Sequence, residues 1–314
     1  MNNKEKNFIS AVIYVHNAEK KIEKFLKTVI DVLEENFEHS EIICVNDCSD
    51  DKSVTEIKRV SKDAKSTCIS LLHMSYFHGL EVAMEAGVDL SIGDFVIEFD
   101  TTIQDFNKEE IMKVYRRSLE GYDIVSASPE KKQKFSSKLF YRVYEKYANL
   151  SNKMYTESFR VISRRVINRV SSMNKTVPYR KAIYAHCGLK ADNITYIPQK
   201  ITGEIYNLGK QEKDYRKRLA IDTLILFTGV GYRFSITMTA LMILTTIIMG
   251  LYSLITYIFS TPVEGWTTTI LFLSFSFFGL FGILTVIIKY LQIVVDLVFK
   301  RKTYSFEGVE KLTK

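Results

Sequence analysis

The chain has 314 residues, of which 46% are hydrophobic and 25% are charged. This composition excludes a disordered chain and is sufficient for a substantial core in one large or two smaller domains. The four cysteines, Cys44, Cys48, Cys68 and Cys187, lack metal-ligand spacing, which favours reduced thiols over a zinc site.

The net charge of +7 is unevenly distributed along the chain. Residues 1–130 hold 15 basic and 25 acidic side chains, whereas residues 131–233 hold 22 basic and 7 acidic ones. The basic region favours anionic partners such as lipid headgroups, lipid-linked phosphates or a nucleotide diphosphate. Nucleic acid is disfavoured because no nucleic-acid-binding motif is present.

The first hundred residues alternate between strand-like and helix-like patterns. FISAVIYV predicts a strand, and the next segment places apolar residues at helical spacing: Ile22, Phe25, Leu26, Val29, Ile30 and Leu33. The alternation continues through EIICVND, SVTEIKRVSKDA, CISLLHM, GLEVAMEAGVDLS and DFVIEFD. It predicts an α/β domain with a mostly parallel sheet, whose ligands bind at the carboxyl ends of the strands. Asp47 and Asp100 follow two of these strands.

The segment after residue 130 is rich in lysine and tyrosine. It predicts an amphipathic helix that lies either at a membrane interface or on the domain surface. DYRKRLAIDTLILFTGVG, which precedes the first long apolar run, is a second candidate of the same kind.

Two uncharged runs, Phe234–Val263 and Trp266–Ile288, each exceed the ~20 residues that a membrane crossing requires. They predict a transmembrane hairpin, the alternative being two long helices of a soluble core. Lysines and arginines precede the first run and follow the second, but are absent from the connecting STPVEG. By the positive-inside rule, this asymmetry predicts that both termini are cytoplasmic. The polar start MNNKEKNF predicts no secretory signal.

Three stretches in order, VNDCSDDKS, GLEVAMEAG…GDFVIEFDTTIQDF and ESFRVISRRV, precede the predicted hairpin. This arrangement resembles the polyprenyl-phosphate glycosyltransferases of glycosyltransferase family 2, which have a GT-A fold. The resemblance implies a membrane-bound inverting enzyme of the cytoplasmic face. Such an enzyme transfers a sugar from a nucleotide-diphosphate sugar to polyprenyl phosphate and requires Mg²⁺ or Mn²⁺.

The predicted organisation has four parts. A GT-A domain covers residues 1–205, juxtamembrane amphipathic helices cover 206–233, the transmembrane hairpin covers 234–290 and a cytoplasmic tail covers 291–314. The partners implied are the donor, the lipid acceptor and the membrane, with a homo-oligomer as a further expectation.

The resemblance assigns the donor and the metal to named positions. Donor contacts are implied for Asn17, Asp47, Asp100, Gln104 and Arg160. The metal is assigned to Asp100 and Asp105, because DTTIQDF retains Asp100, Gln104 and Asp105 of the family motif but has Thr102 at the second carboxylate. Substrate phosphates and water can complete the oxygen shell of Mg²⁺. From the residues alone, a strand-end aspartate that caps a loop or helix is the alternative for Asp47 and Asp100.

The resemblance also names the groups of the transfer step. Asp100, Arg160 and Ser158 are expected at the reaction centre, with Ser158 at the family's acidic position and Glu157 beside it. Contacts to the acceptor phosphate are implied for Ser137, Arg142 and Arg180. The competing hypothesis is a catalytically impaired homologue that acts as a membrane scaffold, because Ala18, Thr102 and Ser158 all depart from the family pattern.

Overall fold

A computed structural model describes residues 4–130, 156–172, 179–199, 265–299 and 304–313, and isolated positions between 218 and 259. The chain divides into two compact units. The first contains Met1–Glu145, Asn149–Ala220 and Lys302–Lys314, and the second contains Lys146–Ala148 and Ile221–Arg301.

From Ile9 to Phe99 the elements of the first unit alternate between strands and helices, as the sequence predicts. The strands are β1 (Ile9–Val15), β2 (Ser40–Asn46), β3 (Cys68–Met74), β4 (Phe95–Phe99), β5 (Ile124–Pro129), β6 (Phe159–Ser163), β7 (Ala191–Tyr196) and β8 (Phe306–Lys311). The helices are α1 (Glu19–Asn36), α2 (Ser53–Val60), α3 (Leu80–Leu90), α4 (Glu109–Leu119), α5 (Arg164–Ser172) and α6 (Arg180–His186). A short 3₁₀ turn, Ser61–Asp63, follows α2.

The strands form one sheet in the order β7-β5-β6-β4-β1-β2-β3-β8. Strands β1, β2, β3 and β4 run parallel to one another, and β5 pairs in parallel with β7. Strand β6 is antiparallel to β4 and β5, and β8 is antiparallel to β3. The fold is therefore the predicted α/β domain with a mostly parallel sheet.

Apolar side chains cover both faces of the sheet. Along β1, Ile9 and Ile13 join one core layer with α1, whereas Val12 joins the opposite layer with α3. The six apolar residues predicted on one face of α1 are all buried. The sheet is thus sandwiched between helices, which leaves the carboxyl ends of β1, β2 and β4 to present polar side chains.

The second unit contains α7 (Trp266–Phe299), which includes the second predicted membrane span. Within the described residues, none of the helices combines the length and hydropathy needed to cross a membrane. The transmembrane hairpin is therefore not confirmed. The first predicted span and the juxtamembrane helices lie outside the described residues apart from isolated positions.

Candidate active site

Asp100 lies directly after β4, among buried charged side chains. Its Oδ2 accepts a hydrogen bond from Arg160 Nη2 at 2.5 Å, and its Oδ1 accepts one from Arg180 Nη2 at 2.7 Å. Both carboxylate oxygens are therefore bonded to guanidinium groups. The side chain is 12% exposed, so this cluster reaches the surface at Asp100.

Arg160 is positioned by the pairing of β6 with β4, which sets it opposite Glu98. Its Nη1 lies 2.6 Å from Glu98 Oε2, and its Nη2 lies 3.1 Å from Glu157 Oε1. With a side chain only 1% exposed, Arg160 is a buried counter-ion shared by these two glutamates and Asp100.

Arg180 begins α6 and makes three contacts with carboxylates besides the one with Asp100. Its backbone N–H and its Nε each donate to Glu81 Oε2 at 3.0 Å. Its Nη1 lies 2.8 Å from Glu98 Oε1, which also accepts a hydrogen bond from the Tyr184 hydroxyl at 2.8 Å. Since Tyr184 lies one turn beyond Arg180 on α6, this helix contributes two side chains that contact the same glutamate.

Lys181, the next residue of α6, lies at the outer edge of the cluster. Its Nζ is 3.1 Å from Glu157 Oε1 and 4.0 Å from Asp100 Oδ2, and its side chain is 14% exposed. We call the complete set the charge cluster. Its members are Glu81, Glu98, Asp100, Glu157, Arg160, Arg180 and Lys181.

Burial and charge act in opposite directions on the acids of the charge cluster. Burial alone would raise the pKa of Asp100, but the charges of Arg160 and Arg180 outweigh it and hold that pKa well below its usual range. Glu157 behaves in the same way, and its pKa is lowered. For Glu81 burial dominates, and the pKa is raised despite Arg180.

The two arginines are held in the charged form. Burial opposes their charge, but the surrounding carboxylates outweigh it and raise the pKa of Arg160 and of Arg180 well above the ordinary value. Burial together with the charge of Glu98 raises the pKa of Tyr184, which keeps its hydroxyl protonated as a donor.

The metal predicted at Asp100 and Asp105 requires free carboxylate oxygens. Guanidinium groups take both oxygens of Asp100, and a cation there would face Arg160 and Arg180 at close range. Within the described ranges, no group of three or more His, Cys, Asp or Glu side chains is arranged to hold a metal ion. In this arrangement the residues do not fit Mg²⁺ or Mn²⁺.

Asp105 and Ser158 belong to a separate hydroxyl network. Asp105 Oδ1 accepts hydrogen bonds from the Tyr196 hydroxyl at 2.6 Å and from Ser158 Oγ at 3.1 Å. The two hydroxyl oxygens are themselves 2.6 Å apart. Asp105 therefore joins the β7 end of the sheet to the start of β6, and Ser158 fills the predicted acidic position as a hydrogen-bonding partner.

Asp47 is fully buried beyond the end of β2. Its Oδ2 accepts from the Tyr14 hydroxyl at 3.0 Å and from the Gly79 N–H at 2.8 Å, and its Oδ1 accepts from the His78 N–H at 2.8 Å. Gly79 precedes α3 with φ +86°, a conformation that favours glycine. The structure thus places Asp47 as a capping aspartate, although of α3 rather than of the helix that follows it directly.

The other predicted donor residues lie on neighbouring loops. Asn17 follows β1, and its Oδ1 accepts the Asp50 N–H at 2.9 Å. Gln104 accepts a hydrogen bond from Thr28 of α1 at 3.2 Å, and its Nε2 donates to the Phe106 carbonyl at 3.4 Å. These contacts fix the loops after β1 and β4.

The predicted acceptor residues are only partly described. Ser137 and Arg142 lie outside the described residues. Arg180, assigned with them to the acceptor phosphate, lies in the charge cluster beside Asp100.

Sequence reasoning missed four residues around Asp100: Glu81, Glu98, Lys181 and Tyr184. Glu98 carried a signal, because strand alternation places residue 98 on the same face as Asp100. Tyr184 and Lys181 are near Arg180 in sequence, so a helix over that segment would have indicated them. Glu81 carried no comparable signal, since its contact with Arg180 depends on packing between α3 and α6.

The fold and the polar side chains at its strand ends define a glycosyltransferase of GT-A type. Residues 10–171 match the family model described as glycosyl transferase family 2, and the chain belongs to this family. The family resemblance in the sequence is thereby confirmed.

Two glycosyltransferases, one of them with bactoprenol in its name, match this chain at low identity. An uncharacterized glycosyltransferase of Synechocystis sp. is 30% identical over 188 residues, with 58% of each chain covered. The bactoprenol glucosyl transferase of Shigella phage SfX is 24% identical over 274 residues, which cover 85% of this chain and 88% of the relative. The chain thus spans 58% of the length of the Synechocystis relative.

Among solved structures, the fold is similar to that of a mannosyltransferase from Pyrobaculum calidifontis in complex with GDP-Man and Mn²⁺. The TM-score is 0.49 at 10% identity, with 89% of this chain and 88% of the other covered.

Proposed function

We propose that the chain is an inverting glycosyltransferase that moves a sugar from a nucleotide-diphosphate sugar to polyprenyl phosphate. An oxygen of the acceptor phosphate forms the new bond to the anomeric carbon. The bond from that carbon to the donor diphosphate breaks, and its electron pair leaves with the nucleoside diphosphate. The observation that carries the proposal is the charge cluster at the carboxyl end of β4 in a family 2 domain.

The chemistry demands positioning and charge stabilisation more than proton transfer. A phosphate monoester has a second pKa near ~6, so the acceptor is already largely a dianion at neutral pH. The absence of a carboxylate at Ser158 is therefore compatible with transfer. The leaving diphosphate requires nearby cations, which Arg160, Arg180 and Lys181 supply.

The acceptor assignment is supported by the bactoprenol glucosyl transferase that matches most of the chain. The basic region of residues 131–233, which includes Ser137 and Arg142, also suits a lipid-linked phosphate. A different lipid or glycan acceptor on the same fold is the nearest alternative within this enzyme class.

We also propose that α7 and the preceding apolar run anchor the chain in the membrane, with both termini and the catalytic domain in the cytoplasm. Large apolar side chains along α7 are each more than two-fifths exposed: Leu273, Phe277, Leu280, Phe281, Ile288 and Leu291. Exposed apolar surface of this extent is typical of membrane or protein contact sites. The flanking Lys and Arg residues set the proposed orientation.

The resemblance predicts Mg²⁺ or Mn²⁺, and Mn²⁺ is present in the Pyrobaculum mannosyltransferase complex. The arrangement around Asp100 does not fit such an ion, so the transfer step above is assigned to residues of the chain alone. Assays therefore need arms with and without metal.

The test uses the full chain in detergent with undecaprenyl phosphate and, one at a time, sugars linked to UDP, GDP, CDP and dTDP. Each mixture contains Mg²⁺, Mn²⁺ or EDTA. We expect one donor to label the lipid fraction, and replacement of Asp100 by Asn to abolish the signal while the protein still unfolds cooperatively. Labelling of water-soluble products only would exclude the lipid acceptor.

The scaffold hypothesis is favoured by one observation, namely that Asp100 is fully bonded within the charge cluster. No sugar transfer from any donor under any metal condition would support the scaffold hypothesis over the enzyme.

The topology has its own test. Glu264→Cys is placed in the loop between the two apolar runs, in a Cys48→Ser background because Cys48 is an exposed free thiol. We expect an impermeant maleimide to label intact cells, whereas labelling only after permeabilisation would reverse the orientation.

A further inference from the structure

We propose that Arg160, Arg180 and Lys181 take the place of the divalent metal at the donor diphosphate, and that Asp100 positions these cations instead of binding an ion. This inference rests on the proposed function and concerns the same site. It predicts donor binding that is independent of Mg²⁺ and Mn²⁺.

The first argument is the saturation of Asp100. Its two oxygens accept hydrogen bonds at 2.5 and 2.7 Å from two different guanidinium groups. Each arginine is in turn fixed by a glutamate, Arg160 by Glu98 at 2.6 Å and Arg180 by Glu81 at 3.0 Å. A metal ion bound to Asp100 would therefore lie close to two buried, positively charged arginines that are each fixed by a glutamate.

The second argument is the charge of the cluster. It holds four carboxylates and three cations, so a single negative charge is in excess when all are ionised. The cations that a diphosphate needs are thus already present, and the excess charge that would attract a dication is small.

The third argument is the order of exposure. Lys181 and Asp100 lie at the edge of the cluster, whereas Arg160 and Arg180 lie behind them. A diphosphate that approaches the carboxyl end of β4 therefore meets the side chains of Lys181 and Asp100, which are 14% and 12% exposed, before those of the two arginines. An ammonium group is a common phosphate ligand, and the guanidinium groups behind it offset most of the negative charge of the carboxylates around it.

The fourth argument concerns Thr102, which stands at the position of the second family carboxylate. Thr102 is buried, and among the described residues no group of three or more His, Cys, Asp or Glu side chains, with or without Asp100, is arranged to hold a metal ion. The loss of one metal ligand and the presence of Lys181 beside the other are two independent observations that lead to the same conclusion.

The first experiment measures binding without turnover, on the full chain in detergent. Free Mn²⁺ is followed by electron paramagnetic resonance, and the binding of UDP, GDP, CDP and dTDP is measured by calorimetry with EDTA or with Mn²⁺. We expect no saturable Mn²⁺ binding by the protein alone. For the nucleotide that binds best, the dissociation constants in EDTA and in Mn²⁺ should differ by less than threefold.

The outcomes separate this inference from the proposed function. A nucleotide that binds only with Mn²⁺ leaves the proposed function standing and overturns the metal replacement. Failure of every nucleotide to bind under both conditions removes the proposed function and the inference with it.

The second experiment tests Lys181 with matched variants. Lys181→Gln should weaken nucleotide binding in EDTA at least tenfold, whereas Lys181→Arg should retain most of the affinity. Lys190→Gln is the control, because Lys190 is an exposed lysine four residues beyond α6. Unchanged binding by Lys181→Gln would overturn the proposal.

The role of Asp100 is tested by Asp100→Asn, with thermal unfolding as the check on folding. If Asp100 is a positioning residue, this substitution should weaken nucleotide binding equally in EDTA and in Mn²⁺. A loss confined to the Mn²⁺ arm would identify Asp100 as a metal ligand instead.

Discussion

At the scale of single residues, Asp47 has two possible roles that give opposite experimental signatures. Its carboxylate accepts hydrogen bonds from Tyr14, His78 and Gly79, and the side chain is fully buried. These contacts make it an internal support for the start of α3. The sequence resemblance instead assigns it to the nucleoside of the donor.

We predict that Asp47→Ala lowers the free energy of unfolding by about 2–4 kcal/mol, because three donors, two of them buried, lose a charged acceptor. Chemical denaturation measures this, and Asp50→Ala at the exposed neighbouring position should change stability by less than about 0.5 kcal/mol. If Asp47→Ala instead kept full stability but lost nucleotide binding, the nucleoside role would be the correct one.

Cys48 adopts φ +54°, in the left-handed region that is costly for side chains with a Cβ atom. We predict that Cys48→Gly stabilises the protein by up to about 1 kcal/mol, since glycine reaches this conformation without steric cost. Thermal unfolding measures the gain. Cys48→Ser retains the Cβ atom and should show no gain, so equal effects of the two substitutions would contradict the explanation.

The sequence identified Asp100 and the two arginines of the site, but not the other side chains that surround them. Asp100, Arg160 and Arg180 were predicted as functional residues, and they do lie together. Their mutual bonding could not be predicted, because residues 100, 160 and 180 are brought into contact only by the pairing of β4 with β6 and the packing of α6. The assignment of Arg160 to the donor and to the reaction centre did not include its burial behind Asp100.

At the scale of elements, strands β1 to β4 were predictable because each is a mostly buried run followed by an amphipathic helix. Strand β8 was not, since FEGVEK is charged and mostly exposed, as edge strands commonly are. Strand β6 was treated only as a motif. Its antiparallel direction follows from long-range pairing that local sequence does not encode.

Helix α3 packs closely on the sheet at Gly87. A Cβ atom there would lie 2.5 Å from Val12 Cγ1 and 2.6 Å from Val45 Cγ2, on two central strands. We predict that Gly87→Ala destabilises the protein by about 1–3 kcal/mol, because overpacking outweighs the gain of up to about 1 kcal/mol in helix propensity. Urea unfolding gives the sign. A stabilised variant would show that the valines move away at little cost.

Helices α1 and α2 share their N-terminal caps. The Glu19 N–H donates to Asp51 Oδ2 at 2.9 Å, and the Ser53 N–H donates to Asp51 Oδ1 at 2.9 Å. Ser53 Oγ in turn accepts the Ala18 N–H at 2.8 Å, so α1 is capped although its own N-cap residue is alanine. Burial alone would raise the pKa of Asp51, but hydrogen bonds from the Ser53 hydroxyl and from the Glu19 and Ser53 N–H groups outweigh it and lower the pKa.

We predict that Asp51→Asn costs about 1 kcal/mol at pH 7, since one acceptor and the charge are lost. Because the folded pKa lies below the unfolded value, the charged form contributes fully above about pH 4 and less as pH falls through the folded pKa. The difference in free energy of unfolding between wild type and Asp51→Asn should therefore become smaller as the pH is lowered from 7 to 3. Asp50→Asn, at an exposed position, is the control. A stability difference between wild type and Asp51→Asn that becomes larger in acid would contradict the capping role of Asp51.

At the scale of the whole molecule, distant parts of the chain complete one sheet. Strand β8 follows α7 in sequence, yet it pairs with β3 near the other end of the chain. The Ser305 N–H donates to His78 Nε2 at 3.2 Å, and the His78 N–H donates to Asp47. The C-terminal segment therefore contacts the same loop that Asp47 holds at the start of α3.

We predict that deletion of residues 304–314 lowers the melting temperature and promotes self-association, because it uncovers the edge of β3 and removes the Leu312 N–H bond to the Ile69 carbonyl. Glu310→Gln is the matched control. It removes the surface ion pairs with Lys58 at 2.7 Å and His73 at 3.7 Å but leaves the strand in place.

Exposed pairs contribute about 0–1 kcal/mol, so the control should melt close to wild type. Thermal unfolding and size-exclusion chromatography in one detergent would compare the three proteins. A truncated chain that melts like the control and elutes unchanged would show that β3 is stable without β8. A large loss confined to the truncation would mean that the end of the chain stabilises the sheet by pairing and packing against it, because the control removes only the ion pairs of Glu310.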